Sequence, residues 1–305
     1  MTEQNAIKVK RKRYKTDLTD EQWERIRPLI PPAVAKYGWE PTDLREVINT
    51  ILYQNKTGCQ WDMLPHDLVA KSTAFGYYTA WQRNGVWESI LDSLRREVRA
   101  TTPRVQEAEQ TSPCQSAEGT TTSESKPQES TPITSPREET PSFVIVDSQS
   151  TKTTEVGGEQ RGYDGGKKVK GRKRHIAVDT LGLLMAVVVT AANVSDGKGG
   201  CKLLEQMTKE KFPRLEGMCG DSTYNEKSLI AAVANRQLTL EIKSRPAGSK
   251  GFVLLKKRWI VERTFAWISF NRRLSKDYER TVRSSETRVR IAAISMMLRR
   301  LNKAA

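Results

Sequence analysis

Apolar positions recur at helical spacing through the first hundred residues. Thr19 with Gln22 makes a capping box and Leu18 with Trp23 stands at staple spacing, which starts a helix at Asp20 that Pro31 and Pro32 bound. A second helix fits Asp43 to Lys56, with Leu44, Val47, Ile48, Ile51 and Leu52 on one face and Gly58 past its end. A third fits Ser72 to Arg83, closed by Gly85, and a fourth runs from Val86 to about Arg99. Four short helices with a glycine turn suit a helix-turn-helix type module over residues 16–100, and a plain helical bundle is the alternative. Over residues 101–142 Thr, Ser, Pro, Glu and Gln replace the aliphatics, so this stretch is expected to be a linker that cannot offset its own ordering entropy.

From Phe143 the period changes. Phe143 to Asp147 reads as a buried strand, and Lys173 to Val178 with Leu183 to Ala191 as a hairpin turning at Asp179 to Gly182. Asp196 can cap a helix reaching about Phe212. A strand near Met218 to Gly220, a helix over about Glu226 to Arg236 and a strand from Leu238 to Ile242 follow. In the next helix Val261, Phe265 and Ile268 form an apolar stripe, while Arg258, Glu262, Ser269 and Arg273 share a neighbouring strip at ~100° per residue. A last helix, about Glu286 to Leu301, places Ile291, Ile294, Leu298 and Leu301 on one face. Three antiparallel strands, then helix, strand, helix, strand and helix, is the order of a ribonuclease-H-like domain, with a mixed five-stranded sheet over residues 143–305.

That order sorts the acids. Asp147 and Asp221 both end strands at the same edge, and Glu262 lies at the border of a packed face; an ion pair with Arg258 or Arg263 is its simpler explanation taken alone. Asp179 falls in a hairpin at the opposite end, and Asp196 on the correct edge reads as a cap rather than a ligand. Three carboxylates without a plausible histidine partner are what a magnesium site needs.

Charge adds a partner. The chain has 305 residues with 51 Lys and Arg against 36 Asp and Glu, a formal net charge of +15, and the acidity of the linker makes the remainder more basic still. Such an excess points to nucleic acid. Residues 1–15 form a basic arm through KVKRKRYK, and residues 161–174 (RGYDGGKKVKGRKR) a second cationic run between the first two strands. The absence of an apolar run of ~18 residues or a signal-peptide pattern makes the cytoplasm the expected location, without membrane insertion. Cys59, Cys114, Cys201 and Cys219 lack metal-ligand spacing and read as reduced thiols.

Asp147-Ser-Gln-Ser, Arg161-Gly-Tyr-Asp, Gly171-Arg-Lys-Arg-His, Asp221-Ser-Thr-Tyr, Trp259-Ile-Val-Glu-Arg and Arg272-Arg-Leu-Ser-Lys-Asp-Tyr-Glu together closely resemble the bacterial insertion-sequence transposases with a DDE triad, specifically the insertion-sequence-five family. Tyr14 to Pro32 and Gly58-Cys-Gln-Trp61 extend the likeness to the N-terminal helices. The resemblance implies that Asp147, Asp221 and Glu262 are catalytic and hold the metal, two magnesium ions that manganese can replace. It implies DNA as partner, both the terminal inverted repeats and the target, a homodimer or higher assembly on DNA, a nucleoid location and no small-molecule substrate. Lys167, Lys168, Lys170, Arg172, Lys173, Arg174, Arg258, Arg263, Arg272 and Arg273 are the expected DNA contacts. Related enzymes surround the glutamate with Tyr, Arg and Lys; here Arg258 matches, Leu255 and Ser269 stand at the other two positions, and Arg272 or Arg273 is left to replace the lysine. The competing readings are a catalytically silent DNA-binding regulator and a structure-selective nuclease on the same fold.

Overall fold

A computed structural model describes residues 11–33, 41–105, 134–243 and 256–302. Residues 1–10 of the basic arm, 106–133 of the expected linker, Cys114 and Leu255 lie outside them.

The N-terminal helices are α1 (Asp20–Ile26), α2 (Leu44–Thr57), α3 (Lys71–Arg83) and α4 (Val86–Thr101). Local chemistry sets their ends. Thr19 and Gln22 make both arms of the capping box, and Asp43 accepts from the amides of Arg45 and Glu46. Gly58 closes α2 at φ 74°, with the backbone of Arg272 and Arg273 so near that a Cβ there would lie 3.0 Å from it. The described part of the basic arm is folded down: Arg11 pairs with Asp17 and Glu46, and the Tyr14 hydroxyl donates to Asp67.

Part of the expected linker is ordered. After α4, β1 (Arg104–Val105) pairs antiparallel with β2 (Thr134–Ser135), so residues on either side of 106–133 lie side by side. Arg99 ties this junction to the sheet, donating to the Glu138 carbonyl and pairing with buried Asp179. Asp179 also accepts from the Leu181 and Leu183 amides, which accounts for it as a turn residue.

The second half is mixed α/β and ribonuclease-H-like. Its elements are β3 (Phe143–Lys152), β4 (Gly162–Asp164), β5 (Val169–Val178), β6 (Leu184–Ala191), α5 (Asp196–Gln206), β7 (Gly217–Gly220), α6 (Lys227–Asn235), β8 (Thr239–Ile242), α7 (Lys256–Ser269) and α8 (Val282–Leu301). The strand order is β6-β5-β3-β7-β8, with β3, β7 and β8 parallel to one another and β5 antiparallel to β3 and β6. Short β4 pairs with the start of β5, making six strands where five were expected. The extra strand comes out of the cationic run 161–174, which forms a hairpin and not a loop.

Each face of the sheet has its own core. Val144, Val146, Ala177 and Met218 pack under α5 and α6. Ile145, Ile176, Val178 and Val187 share the other core with α7, α8 and all four N-terminal helices. The expected single apolar face of α8 is therefore incomplete: Thr287 to Ile294 are buried without interruption, more than two turns, since α8 lies between α4, β6 and α7. Truncating fully buried Ile90 of α4 (Ile90→Ala) is expected to cost about 2–5 kcal/mol and to lower one common calorimetric transition. Two separable transitions, with only one affected, would contradict a shared core.

Candidate active site

Asp147 lies in the central strand. Parallel pairing aligns Phe143 with Gly217, Val144 with Met218 and Ile145 with Cys219, and the same offset puts Asp147 level with Asp221. By alternation Asp147 shares the face of Ile145, over which α7 runs. Asp221 ends β7 and caps the turn that follows, accepting from the amide and hydroxyl of Thr223. Burial pushes the Asp147 carboxyl up to about 6; the Asp221 charge adds to this, while the Ser148 amide, Lys167 and Arg258 oppose it.

Glu262 lies on the exposed side of α7 and accepts from Arg258 Nη2 at 3.2 Å. The same nitrogen is 4.0 Å from Asp221 Oδ2, so one guanidinium bridges the two acids. A cation is thus already held between Asp221 and Glu262, and adjacent Asp147 is a carboxylate short of positive charge. This donor set, oxygen only, suits a hard divalent ion. Among the described residues, however, no three acidic, histidine or cysteine side chains are close enough to enclose a metal, and Glu262 is paired with Arg258.

Asp196 is not the cap of α5. Ser195 fills that position, accepting from the Lys198 amide. Asp196 instead takes a 2.7 Å hydrogen bond from the Ser148 hydroxyl and lies 3.2 Å from Lys173 Nζ. It thereby links the residue after Asp147 to Lys173 of β5. Burial alone raises its pKa, but Ser148 and Lys173 outweigh this and hold it below the ordinary carboxylate range. His175, on the same face, is pushed down to about 4 by burial and is neutral at neutral pH. Its Nε2 pairs with the Thr190 hydroxyl at 3.0 Å.

The expected DNA contacts divide. Lys167, Lys168 and Lys170 are exposed on the β4–β5 hairpin, and Lys167 Nζ donates to the Ser148 carbonyl at 3.3 Å, beside Asp147. Arg172, Lys173 and Arg174 correct the expectation. Arg172 is fully buried against Asp277, and its remaining donors reach the carbonyls of Glu159, Glu279 and Arg280. Arg174 is buried against the carbonyls of Leu274 and Lys276, and Lys173 between Asp164 and Asp196. These cations are structural pins because a strand sends alternate side chains to its two covered faces. Arg273 is also occupied, bonded to Glu279 at 2.7 Å, whereas Arg272 is exposed. Arg258 faces the acids and Arg263 lies over the Trp267 ring.

A mixed sheet in this order, with acids level on two parallel strands and a third on the helix above them, defines a ribonuclease-H-like domain with a carboxylate edge. Residues 138–298, more than half of the chain, match the family described as transposase DDE domain, and residues 18–91 match that described as putative transposase of IS4/5 family. The chain belongs to the DDE transposases of the IS4/5 type. It is similar to a putative transposase for insertion sequence element IS402 of Burkholderia cepacia, 31% identical over 121 residues, or 36% of this chain and 54% of that protein. An uncharacterized 16.2 kDa protein of the same element is 33% identical over 89 residues, 27% of this chain and 60% of the relative. The uncharacterized protein y4sN of Sinorhizobium fredii is 31% identical over 80 residues, 26% of this chain and 64% of the relative. The chain thus spans between about half and two thirds of these relatives.

Two predictions follow from the charges. Asp147 keeps its proton up to about pH 6 when folded and loses it near 3.8 when unfolded. Its contribution to stability is therefore present below the unfolded pKa and lost as pH rises through 6. In metal-free buffer at pH 8, Asp147→Asn should be more stable than wild type by about 1–3 kcal/mol, with the gain vanishing near pH 4; a less stable variant at pH 8 would refute the assignment. Arg172→Ala should cost about 3–5 kcal/mol by stranding Asp277, while exposed Lys170→Ala stays within about 0.5 kcal/mol, both read by denaturant unfolding.

Proposed function

We propose that this chain cuts DNA at the ends of a mobile element and joins them to target DNA, using Asp147, Asp221 and Glu262 for both steps. The observation that carries this reading is the alignment of Asp147 with Asp221 on neighbouring parallel strands, under the helix that bears Glu262. These three residues would hold divalent metal, with magnesium favoured by an oxygen-only donor set. Bound there, the metal supplies activation of the attacking oxygen and stabilisation of the leaving one in an in-line displacement at phosphorus.

The protein's own groups do the positioning. Lys167, beside the Ser148 carbonyl, and Arg258, between Asp221 and Glu262, hold backbone phosphate against the acids. Lys168, Lys170 and Arg272 extend that track with charges free to meet solvent. The helical residues 16–100 carry recognition of the terminal inverted repeats, and two or more copies act together on DNA. Water as nucleophile frees a 3′-hydroxyl, which as the second nucleophile attacks a target phosphodiester.

Duplexes carrying the DNA that borders this gene provide the test. Asp147→Asn, Asp221→Asn and Glu262→Gln should each lower magnesium-dependent cleavage by ~100-fold or more, while binding to the same duplex in EDTA is retained because the basic surface is intact. Cleavage at the wild-type rate by any one variant removes that residue from the proposal.

A further inference from the structure

A cleft of about 310 Å3 opens between the C-terminal ends of α2, α7 and α8, away from the acids. Lys56, Trp267, Phe270, Arg299 and Arg300 line it, and no acidic residue does among the described residues. Phe270 is 69% exposed, a large ring left in solvent at the mouth of a basic cleft. Lys56 Nζ donates to the Phe270 carbonyl at 2.8 Å and lies 5.9 Å from its ring. Arg300 and Arg263 both lie over Trp267, at 4.6 and 4.7 Å.

The cations are held at a cost. Burial and then the Arg299 charge depress the Lys56 ammonium, and burial and then Arg263 depress Arg300. Like charges brought together beside an aromatic face, with only Asp179 behind the cleft acting on Arg300 and no carboxylate lining the cleft among the described residues, complement a ligand that brings both negative charge and a ring. Nucleotides have both.

We propose that this cleft binds an unpaired nucleotide of the DNA substrate, its phosphate between Lys56 and Arg299 and its base on Phe270. The choice of single strand over duplex follows from size and stacking. A cleft at the lower end of the ~300–1,000 Å3 range of small-ligand sites admits one nucleotide, and bases within a duplex have their faces already covered. The position of the nucleotide rests on the reading that Glu262 marks the reacting edge. Phe270 follows Glu262 by eight residues, roughly 12 Å along the helix axis, or three to four steps of a strand at ~3.4 Å each. DNA unpaired beside the scissile phosphate is within reach.

Binding of a fluorescein-labelled oligothymidylate to the full chain in EDTA, followed by anisotropy, tests the cleft without any cleavage. Phe270→Ala should weaken it by roughly 5- to 100-fold, as loss of one base–aromatic stack does, and leave affinity for a blunt duplex unchanged. Phe270→Tyr, which keeps a ring, should bind like wild type and controls for misfolding. Lys56→Ala and Arg299→Ala should each lower the slope of log affinity against log salt by roughly 0.7. Asp147→Asn should bind the oligothymidylate normally, so a failed cleavage assay and a failed cleft remain separate results. Unchanged single-strand affinity in Phe270→Ala, or equal loss on duplex and single strand, overturns the proposal.

Discussion

Burial of the middle of α8, Thr287 to Ile294, on all sides is the constraint on which the remaining architecture depends. The helix carries Arg288 and Arg290 through its buried stretch, so it must find partners for two guanidiniums as well as for its apolar residues. Arg288 pairs with Glu279 and lies over the rings of Tyr78 and Trp61. Arg290 reaches Glu88 of α4 and Glu286 of its own helix. Removing either set of partners leaves a charge in a dry core, which costs far more than the pair contributes. The N-terminal helices and the sheet are therefore joined by electrostatic necessity as well as by apolar contact.

The sheet separates two kinds of charge. On the α7 face the acids meet Arg258, accessible cations and open solvent, an arrangement that can exchange partners. On the opposite face Asp196, Lys173 and Asp164 are partnered with one another and with hydroxyls, and they hold the strand ends in place. Asp147 and Ser148 are neighbours in sequence yet belong to these two settings, one facing α7 and one held by Asp196. Arg172 and Arg174 serve a third purpose, clamping residues 274–280 to β5 so that the chain leaving α7 has a defined path.

What the sequence disclosed was mostly local. The caps at Thr19 and Asp43 and the left-handed glycines at 58 and 85 are set by a few adjacent residues, and those helix boundaries are readable from them. Asp221 was legible because a short apolar run ending in an acid is a strand-end signature, whereas β3 runs on to Lys152 and leaves Asp147, read as the end of its strand, in the middle of it. The β4–β5 hairpin was not, since a segment dense in Lys and Arg reads as solvated unless strand alternation is imposed on it. Alternation from Asp147 would have sent Lys173 with Ser148 and Arg174 with Gln149. Asp196 was misread because Ser195 and Asp196 are both good caps, and only the tertiary position of Ser148 decides between them. The all-round burial of α8 between Thr287 and Ile294 was hidden by its arginines, which break the apolar pattern that periodicity detects.

The chain order of α4 and α8 has a consequence for the newly made protein. Helix α4 ends at Thr101, and the helix that covers it ends at Leu301. At ~5–20 residues per second of synthesis, roughly 10 to 40 s separate the two. Through that interval α4 has its partners in α3 and β6 but waits for α8, the element it packs against most extensively.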